Sequence, residues 1–434
     1  MAGARYLPRV AISDLRRRIL AGALLIAAVF TVIQAVDYRQ DVPSNDTYQY
    51  ARQTLRILGD DQRQAVHGAV VMFCQDSGNA AATADTLDYA ASSGSTSYSS
   101  AYDGCLQTYR NGLTPSSPRY LAIFTSRPGY PLLAAPLAAV FGLRFGLWAA
   151  ALLCTLLASL LVIVLLRSAG CGVPLALAGQ ALYLAAPTGY WGSRMLTDGP
   201  SLAATLLTLV GAWWLVRRRT RAGLWLLGAG LMAGFVVRYS SEQMVALVIA
   251  LAALGCLAWV PGARHRGMRL LAIAAGTGFV LSELVSTLLG WPGVSESLQD
   301  TFTKHFIRPD VSDPVGRLVR LDLHFWGYFP VSEPTALLLV AGLATLAVLL
   351  IRRARSYGVL VVAVALTGVG AVAAHPIASQ SDRLMVPVWL LLALGLPPLL
   401  QRAAAAEPGV EPAATAEPLP APSEPRPAMA GDAA

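Results

Sequence analysis

The chain predicts an all-α polytopic membrane protein, on three observations. Of its 434 residues 55% are hydrophobic and only 13% charged, with a mean hydropathy of +0.53. A water-soluble domain carries about 25% charged residues, so half of the usual polar coat is missing. Apolar stretches near the length that crosses a bilayer, about 17 to 25 residues, recur along most of the sequence. Most of the arginines that produce the net charge of +8 lie in short clusters between those stretches, where they report topology and not a nucleic-acid partner.

Taken in order, the apolar stretches are Leu20–Val36, Phe145–Leu166, Val173–Trp191, Pro200–Val216, Ala222–Val237, Met244–Val260, Leu270–Leu289, Thr335–Ile351, Tyr357–Ala374 and Leu384–Leu400, which makes about ten transmembrane helices. The first follows Arg16, Arg17 and Arg18, as a signal peptide would. Its apolar run exceeds the roughly 7 to 15 residues of a signal h-region and no A-x-A site closes it, so it reads as an uncleaved anchor.

One further apolar piece, Pro131–Gly142, sets the topology. As a helix it is about 18 Å long against a hydrocarbon core of about 30 Å, too short to span alone. Laid in the outer interface, it leaves the loops Arg167–Gly172, Arg217–Arg221, Pro261–Arg269 and Arg352–Ser356 on one side, with eleven arginines and no acid among them. Positive-inside bias then puts these loops, the N-terminal residues 1–19 and a tail from 401 to 434 in the cytoplasm. The tail is rich in Ala, Pro and Glu and is expected to be disordered.

The same assignment puts a first loop, 37–143, and a second, 290–334, outside; both are too long to be hairpin connections and are expected to carry the function. Eighteen of the 25 acidic residues fall in these two loops and the shorter external connections, a mixed-charge surface suited to polar or anionic substrates. The first loop opens with Ser44-Asn45-Asp46-Thr47 and then Tyr48, Ala51, Leu55 and Leu58 at helical spacing, so Asp46 sits in the first turn of an interfacial amphipathic helix. For an isolated Asp in that position, helix capping is the ordinary role. The Ser-rich stretch Ser92–Ser100 reads as mobile. Cys74 and Cys105, the only cysteines in the external loops, are able to pair in an oxidising exterior, and no zinc-type spacing is present.

Other candidates share an address, the external ends of the spans. Arg127 precedes the short interfacial helix in Ser126-Arg127-Pro128-Gly129-Tyr130-Pro131; Arg194 and Asp198 lie between spans three and four; Arg238 and Glu242 lie between spans five and six; His375, Asp382 and Arg383 lie between spans nine and ten. Singly, each is more often an interfacial anchor or a surface ion pair. Their convergence on one side is the signal, since the opposite loops hold no acid at all. Glu283 stands about 10 Å below the outer end of span seven, where it either faces the same cavity or pairs with a neighbouring arginine.

In order and placement these features resemble the GT-C glycosyltransferase superfamily of integral membrane enzymes, in the manner of protein O-mannosyltransferases and aminoarabinose transferases. The resemblance runs from Leu20 to Leu400 and rests on Asp46 and Tyr48 after the first span, on Arg127–Leu133 (Arg-Pro-Gly-Tyr-Pro-Leu-Leu), on Thr197–Pro200 (Thr-Asp-Gly-Pro) and on Asp382–Pro387 (Asp-Arg-Leu-Met-Val-Pro). Asn45 stands where many relatives carry a second acid, and no Asp-x-Asp pair occurs in the loops, so a divalent metal has no clear ligand motif. The resemblance implies transfer of a sugar from a polyprenyl-phosphate donor to a hydroxyl on a glycan, lipid or protein acceptor at the external face of the cell membrane.

The chemistry of such a transfer requires a carboxylate beside the acceptor hydroxyl and positive charge beside the departing lipid phosphate. Asp46, then Asp198, are the expected base; Arg127, Arg194, Arg238 and Arg383 the expected phosphate donors. Tyr48, Tyr130, Glu242, Glu283, His305, Arg308 and His375 are expected near the substrates, with Lys304, the single lysine, a weaker candidate. Displacement with one base implies inversion at the anomeric carbon. The rival classes are a transporter or lipid flippase, which predicts inverted repeats and midplane ionisable groups, and a noncatalytic scaffold of envelope assembly.

Overall fold

The computed structural model describes residues 9–38, 44–89, 94–113 and 117–406. All regular structure among them is helical: α1 (Arg9–Asp37), α2 (Asn45–Ile57), α3 (Gln62–Tyr89), α4 (Gly94–Thr108), α5 (Pro118–Thr125), α6 (Gly129–Phe141), α7 (Leu143–Ser168), α8 (Val173–Ala185), α9 (Pro187–Gly192), α10 (Asp198–Val216), α11 (Thr220–Trp259), α12 (Arg266–Leu288), α13 (Val294–Phe302), α14 (Pro314–Ser332), α15 (Pro334–Ala374), α16 (Ser381–Leu384) and α17 (Leu390–Ala406). By length and composition, seven helices among the described residues are able to cross a membrane: α1, α7, α10, α11, α12, α15 and the stretch Ala378–Ala404 that ends in α17. The chain is therefore an all-α polytopic membrane protein.

Two of these helices turn back on themselves. α11 breaks at Arg238 (φ −160°, ψ 79°) and α15 at Ala354 (φ −132°, ψ 36°). In a straight helix, residues eight apart are separated by about 12 Å. Here a Cβ on Gly234 would fall 2.4 Å from the carboxyl carbon of Glu242, and one on Gly358 would fall 2.6 Å from the carbonyl oxygen of Leu350. Each element is thus a hairpin of two helices with almost no connecting loop. The apolar stretch expected as Val173–Trp191 is likewise interrupted: α8 stops at Ala186, whose ψ of 172° precedes Pro187, and the short α9 follows.

The bundle is centred on α10, which packs against α7 on one side and the first half of α11 on the other. Close approach explains the pairing with α11. A Cβ on Gly211 would lie 2.3 Å from the Leu227 nitrogen, and one on Gly230 would lie 2.5 Å from the Thr208 nitrogen, so the two backbones touch where only hydrogen separates them. Helix ends sort into two sets. At one end Gly172 N donates to Gln401 Oε1 at 2.7 Å, and Gly267 lies against the Leu215 carbonyl. At the other, Ser193 Oγ donates to Gln34 Oε1 at 2.6 Å beside the start of α10.

The stretch 37–143 is mostly helical where it is described. Ser44 caps α2, accepting from Thr47 N, while Thr47 Oγ1 accepts in return from Ser44 N. This reciprocal box frees Asp46 from capping. The Ser-rich stretch expected to be mobile falls instead in α4 from Gly94 onward, with Ser92 and Ser93 outside the described residues. A disulfide joins Cys74 on α3 to Cys105 on α4, and the α3 carboxylate Asp76, fully buried, pairs with Arg144 at the start of α7. The disulfide holds α3 to α4, and the ion pair ties them to the bundle. α6 runs between helix ends of the same set, from Val237 against Gly129 to Gly146 against Ala138, then turns at Gly142 (φ +89°) into α7. Only glycine adopts that φ without a Cβ penalty. Of the expected tail, 401–406 continue α17 and 407–434 lie outside the described residues.

Candidate functional site

Arg383, in the short α16, reaches two carboxylates from distant parts of the chain. Its Nη1 donates to Asp46 Oδ2 at 2.7 Å and its Nε to Asp198 Oδ2 at 2.8 Å. The planar guanidinium fork accounts for the arrangement, since it offers fixed donors to two acceptors at once. Arg238, at the break of α11, adds a longer contact from Nη1 to Asp198 Oδ1 at 3.7 Å. Arg127 joins from the turn before α6: it is hydrogen-bonded to Tyr50, and its charge acts on both Asp46 and Arg238. Tyr50 OH lies 3.4 Å from Thr197 Oγ1, the residue before Asp198.

Five segments therefore meet at one end of the bundle: the first turn of α2, the turn before α6, the first residue of α10, the reversal of α11 and the turn of α16. Three guanidinium groups face two carboxylates there, an excess of one positive charge. Nε of Arg127 and Nε of Arg238 are both buried without an acceptor among the described residues. An unmade hydrogen bond at a buried donor costs about 1–3 kcal/mol, so such donors call for a water or an anion. Burial by itself would raise the Asp46 carboxyl; Arg383, with Arg127 and Arg238 behind it, outweighs that and holds it below the ordinary 3.8.

A second group borders the first. His305 Nδ1 lies 3.0 Å from Asp300 Oδ1, and its ring packs 4.6 Å from that of Tyr120, whose hydroxyl accepts from Asn45 Nδ2 next to Asp46. The Asp300 hydrogen bond raises His305 above its ordinary 6.5 against the effect of burial. His375 Nδ1 lies 2.9 Å from Thr301 Oγ1, and burial, with Arg238 nearby, lowers it. Burial, then the charges of Asp46 and Asp300, raise Tyr120. Lys304, His305 and Phe306 have φ of +53°, +61° and +62°, three consecutive residues with side chains in the left-handed region. Each costs about 1–2 kcal/mol in isolation, a strain held in place by Phe306 N donating to Thr303 Oγ1 at 2.9 Å and His305 N to the Asp300 carbonyl at 3.0 Å.

Of the residues expected from sequence, Asp46, Asp198, Arg127, Arg238 and Arg383 come together, with His305 and His375 at the border. Arg194 does not join them: it pairs with Asp37 at 3.4 Å and lies 4.3 Å over the Tyr190 ring. Glu242 is buried against Gly234, one turn past the break in α11. Glu283 is exposed on α12, and Arg308 is exposed after the left-handed turn. Tyr48 is buried toward Leu113, while Tyr130 donates to the Leu147 carbonyl at 2.8 Å and stacks edge-on to Tyr50, so both serve packing. Tyr50 and Asp300 were not singled out in sequence. Tyr50 follows Asp46 by four residues and so shares its helix face, a signal that was there to be used; Asp300 carries no local mark.

No group of three or more His, Cys, Asp or Glu side chains suited to hold a metal occurs among the described residues. Compared with known proteins, the chain matches no family model, no curated sequence and no solved structure.

Proposed function

We propose that the chain is an integral membrane glycosyltransferase of GT-C type, moving a sugar from a polyprenyl-phosphate donor to an acceptor hydroxyl at the external face of the membrane. The observation that carries the reading is the Asp46–Arg383–Asp198 bridge with two buried arginine Nε donors beside it. A departing lipid phosphate is stable as an anion and needs positive charge more than an acid. Arg127, Arg238 and Arg383 supply that charge as preorganised donors in a largely buried site.

Asp46, held ionised, accepts a hydrogen bond from the acceptor hydroxyl and takes its proton as the anomeric bond forms. A single base on the face opposite the leaving phosphate gives inversion. Asp198 holds Arg383 and Arg238 in register. His305 and His375 border the acceptor side.

The reading includes the orientation. Ten crossings, with α11 and α15 each counted as two and α8 with α9 as one, place the arginine-rich turns in the cytoplasm and the acid-bearing end outside. α6 then lies along the outer interface as one wall of a groove for the polyprenyl tail.

The test is sugar transfer from a polyprenyl-phosphate donor in membranes carrying purified protein. Asp46→Asn abolishes transfer while the protein folds, and Arg127→Gln mainly weakens donor use. Wild-type turnover in Asp46→Asn overturns the role given to that residue. Dissipation of a substrate gradient without a glycosyl product assigns a transporter instead, and neither activity assigns a scaffold.

A further inference from the structure

A cleft of about 310 Å³ opens between α2, the start of α3 and the α5–Pro128 segment, away from the Asp46 cluster. Arg52, Gln53 and Arg56 line it from α2, with Gln62 from α3 and Thr125 and Pro128 across from them. None of Asp46, Asp198, Arg238 and Arg383 takes part. Arg52 follows Asp46 by six residues, about 240° around the helix, and so projects from a different side of α2.

The lining holds two arginines and no carboxylate, with Ile57 and Leu121 giving it apolar walls. Arg52 is only 7% exposed, yet no ion pair or hydrogen bond to an acid holds it among the described residues; its titratable neighbours are the phenols of Tyr48 and Tyr120. A buried guanidinium is ordinarily paired. Gln53 Nε2 is a buried donor without an acceptor among the described residues. Arg56, one turn on, is exposed and spends Nη1 on the Asp60 carbonyl at 2.8 Å, which leaves the rest of its fork free to turn inward.

We infer that this cleft is a second anion subsite, one that takes a phosphate-class oxyanion on Arg52, with Gln53 and Arg56 as the supporting donors. Guanidinium groups match the tetrahedral oxygens of a phosphate two at a time, and the volume is at the lower end of small-molecule sites, enough for the group and a little of what bears it. The bearer is either a soluble phosphorylated molecule or a lipid headgroup, since the chemistry is the same. The inference does not rest on the proposed sugar transfer.

The test uses site-specific protection, so that phosphate held by the Arg383 cluster does not confuse it. Thr125→Cys, at the rim of the cleft, is introduced into the full chain in phosphatidylcholine nanodiscs, and its alkylation by a neutral reagent is followed by mass spectrometry. Saturating inorganic phosphate slows alkylation severalfold. Adding Arg52→Gln raises the phosphate needed about tenfold or more, the loss of one charge-assisted contact. Should Arg52→Gln fail to fold, the exposed Arg56→Gln carries the same comparison with a smaller expected shift. Protection by inorganic phosphate assigns a soluble ligand. Protection only in nanodiscs containing phosphatidic acid assigns a lipid headgroup. Protection in neither, or protection unchanged by both arginine variants, overturns the subsite. Either failure leaves the Asp46–Arg383 reading standing, because the two sites share no lining residue.

Discussion

Arg383 and Asp46 are 337 positions apart in the chain and 2.7 Å apart in space, and the same guanidinium holds Asp198 at 2.8 Å. Removing the arginine strands two carboxylates at once. Arg383→Ala is expected to lower stability by about 3 kcal/mol or more, the cost of leaving buried charge unpaired. Arg383→Lys keeps the charge but replaces the planar fork with a compact ammonium that cannot direct two donors to both carboxylates, so it recovers only part of the loss. Thermal unfolding of the two variants in detergent checks the order.

The Asp46 ion pair also fixes a pH window. Its carboxyl is depressed in the folded protein, so its contribution is fully present above the ordinary 3.8 and is lost as pH falls through the lower folded value. The stability gap between the parent and Asp46→Asn is expected to be flat above about pH 5 and to shrink below 3.8.

His305 behaves in the opposite sense. Hydrogen bonding to Asp300 raises it above 6.5, so its contribution is full below 6.5 and fades as pH rises through the folded value. The gap between the parent and His305→Gln, measured by unfolding from pH 5 to 9, is expected to narrow with rising pH. Asp300→Asn removes that slope.

Gly234 admits no side chain while Glu242 stays in place. Gly234→Ala is expected to push the Glu242 carboxylate out of its contact and to cost about 1–3 kcal/mol, the range for overpacking a closed site. Gly342→Ala, where nothing lies within 4 Å of the added carbon, is the matched control and is expected to be neutral or slightly stabilising. Unfolding midpoints of the two variants separate local crowding from a general effect of replacing glycine.

The Cys74–Cys105 link closes 31 residues of chain. Chain entropy puts its contribution at about 3–4 kcal/mol. Cys74→Ser with Cys105→Ser is expected to lower the unfolding midpoint by a corresponding amount, and both cysteines in the parent are expected to resist alkylation until a reductant is added.

The class of fold was legible because it depends on composition and run length alone, and the entry to α2 because capping is a local exchange between Ser44 and Thr47. The reversal near Arg238 was legible as a polar gap between apolar runs. Its tightness was not, since Val237-Arg238-Tyr239 contains neither Pro nor Gly to announce a break. Convergence of Asp46, Asp198, Arg238 and Arg383 followed from placing charges at one set of helix ends. Arg194 shares that address, but a non-local neighbour, Asp37, takes it, and no spacing in the sequence encodes such a choice. Arg52 was invisible for a related reason: an arginine buried inside a fold has the same letter as one on its surface.

The main-chain reversal at Arg238 has a mechanical corollary. One residue supplies both the pivot of α11 and a cationic head on the Asp198 carboxylate, so there is no slack between them to absorb an insertion or deletion. Adding a single amino acid immediately after it would swing the whole descending rod through about 100° about its own axis. Length variation at this corner should therefore be among the least tolerated anywhere in the protein.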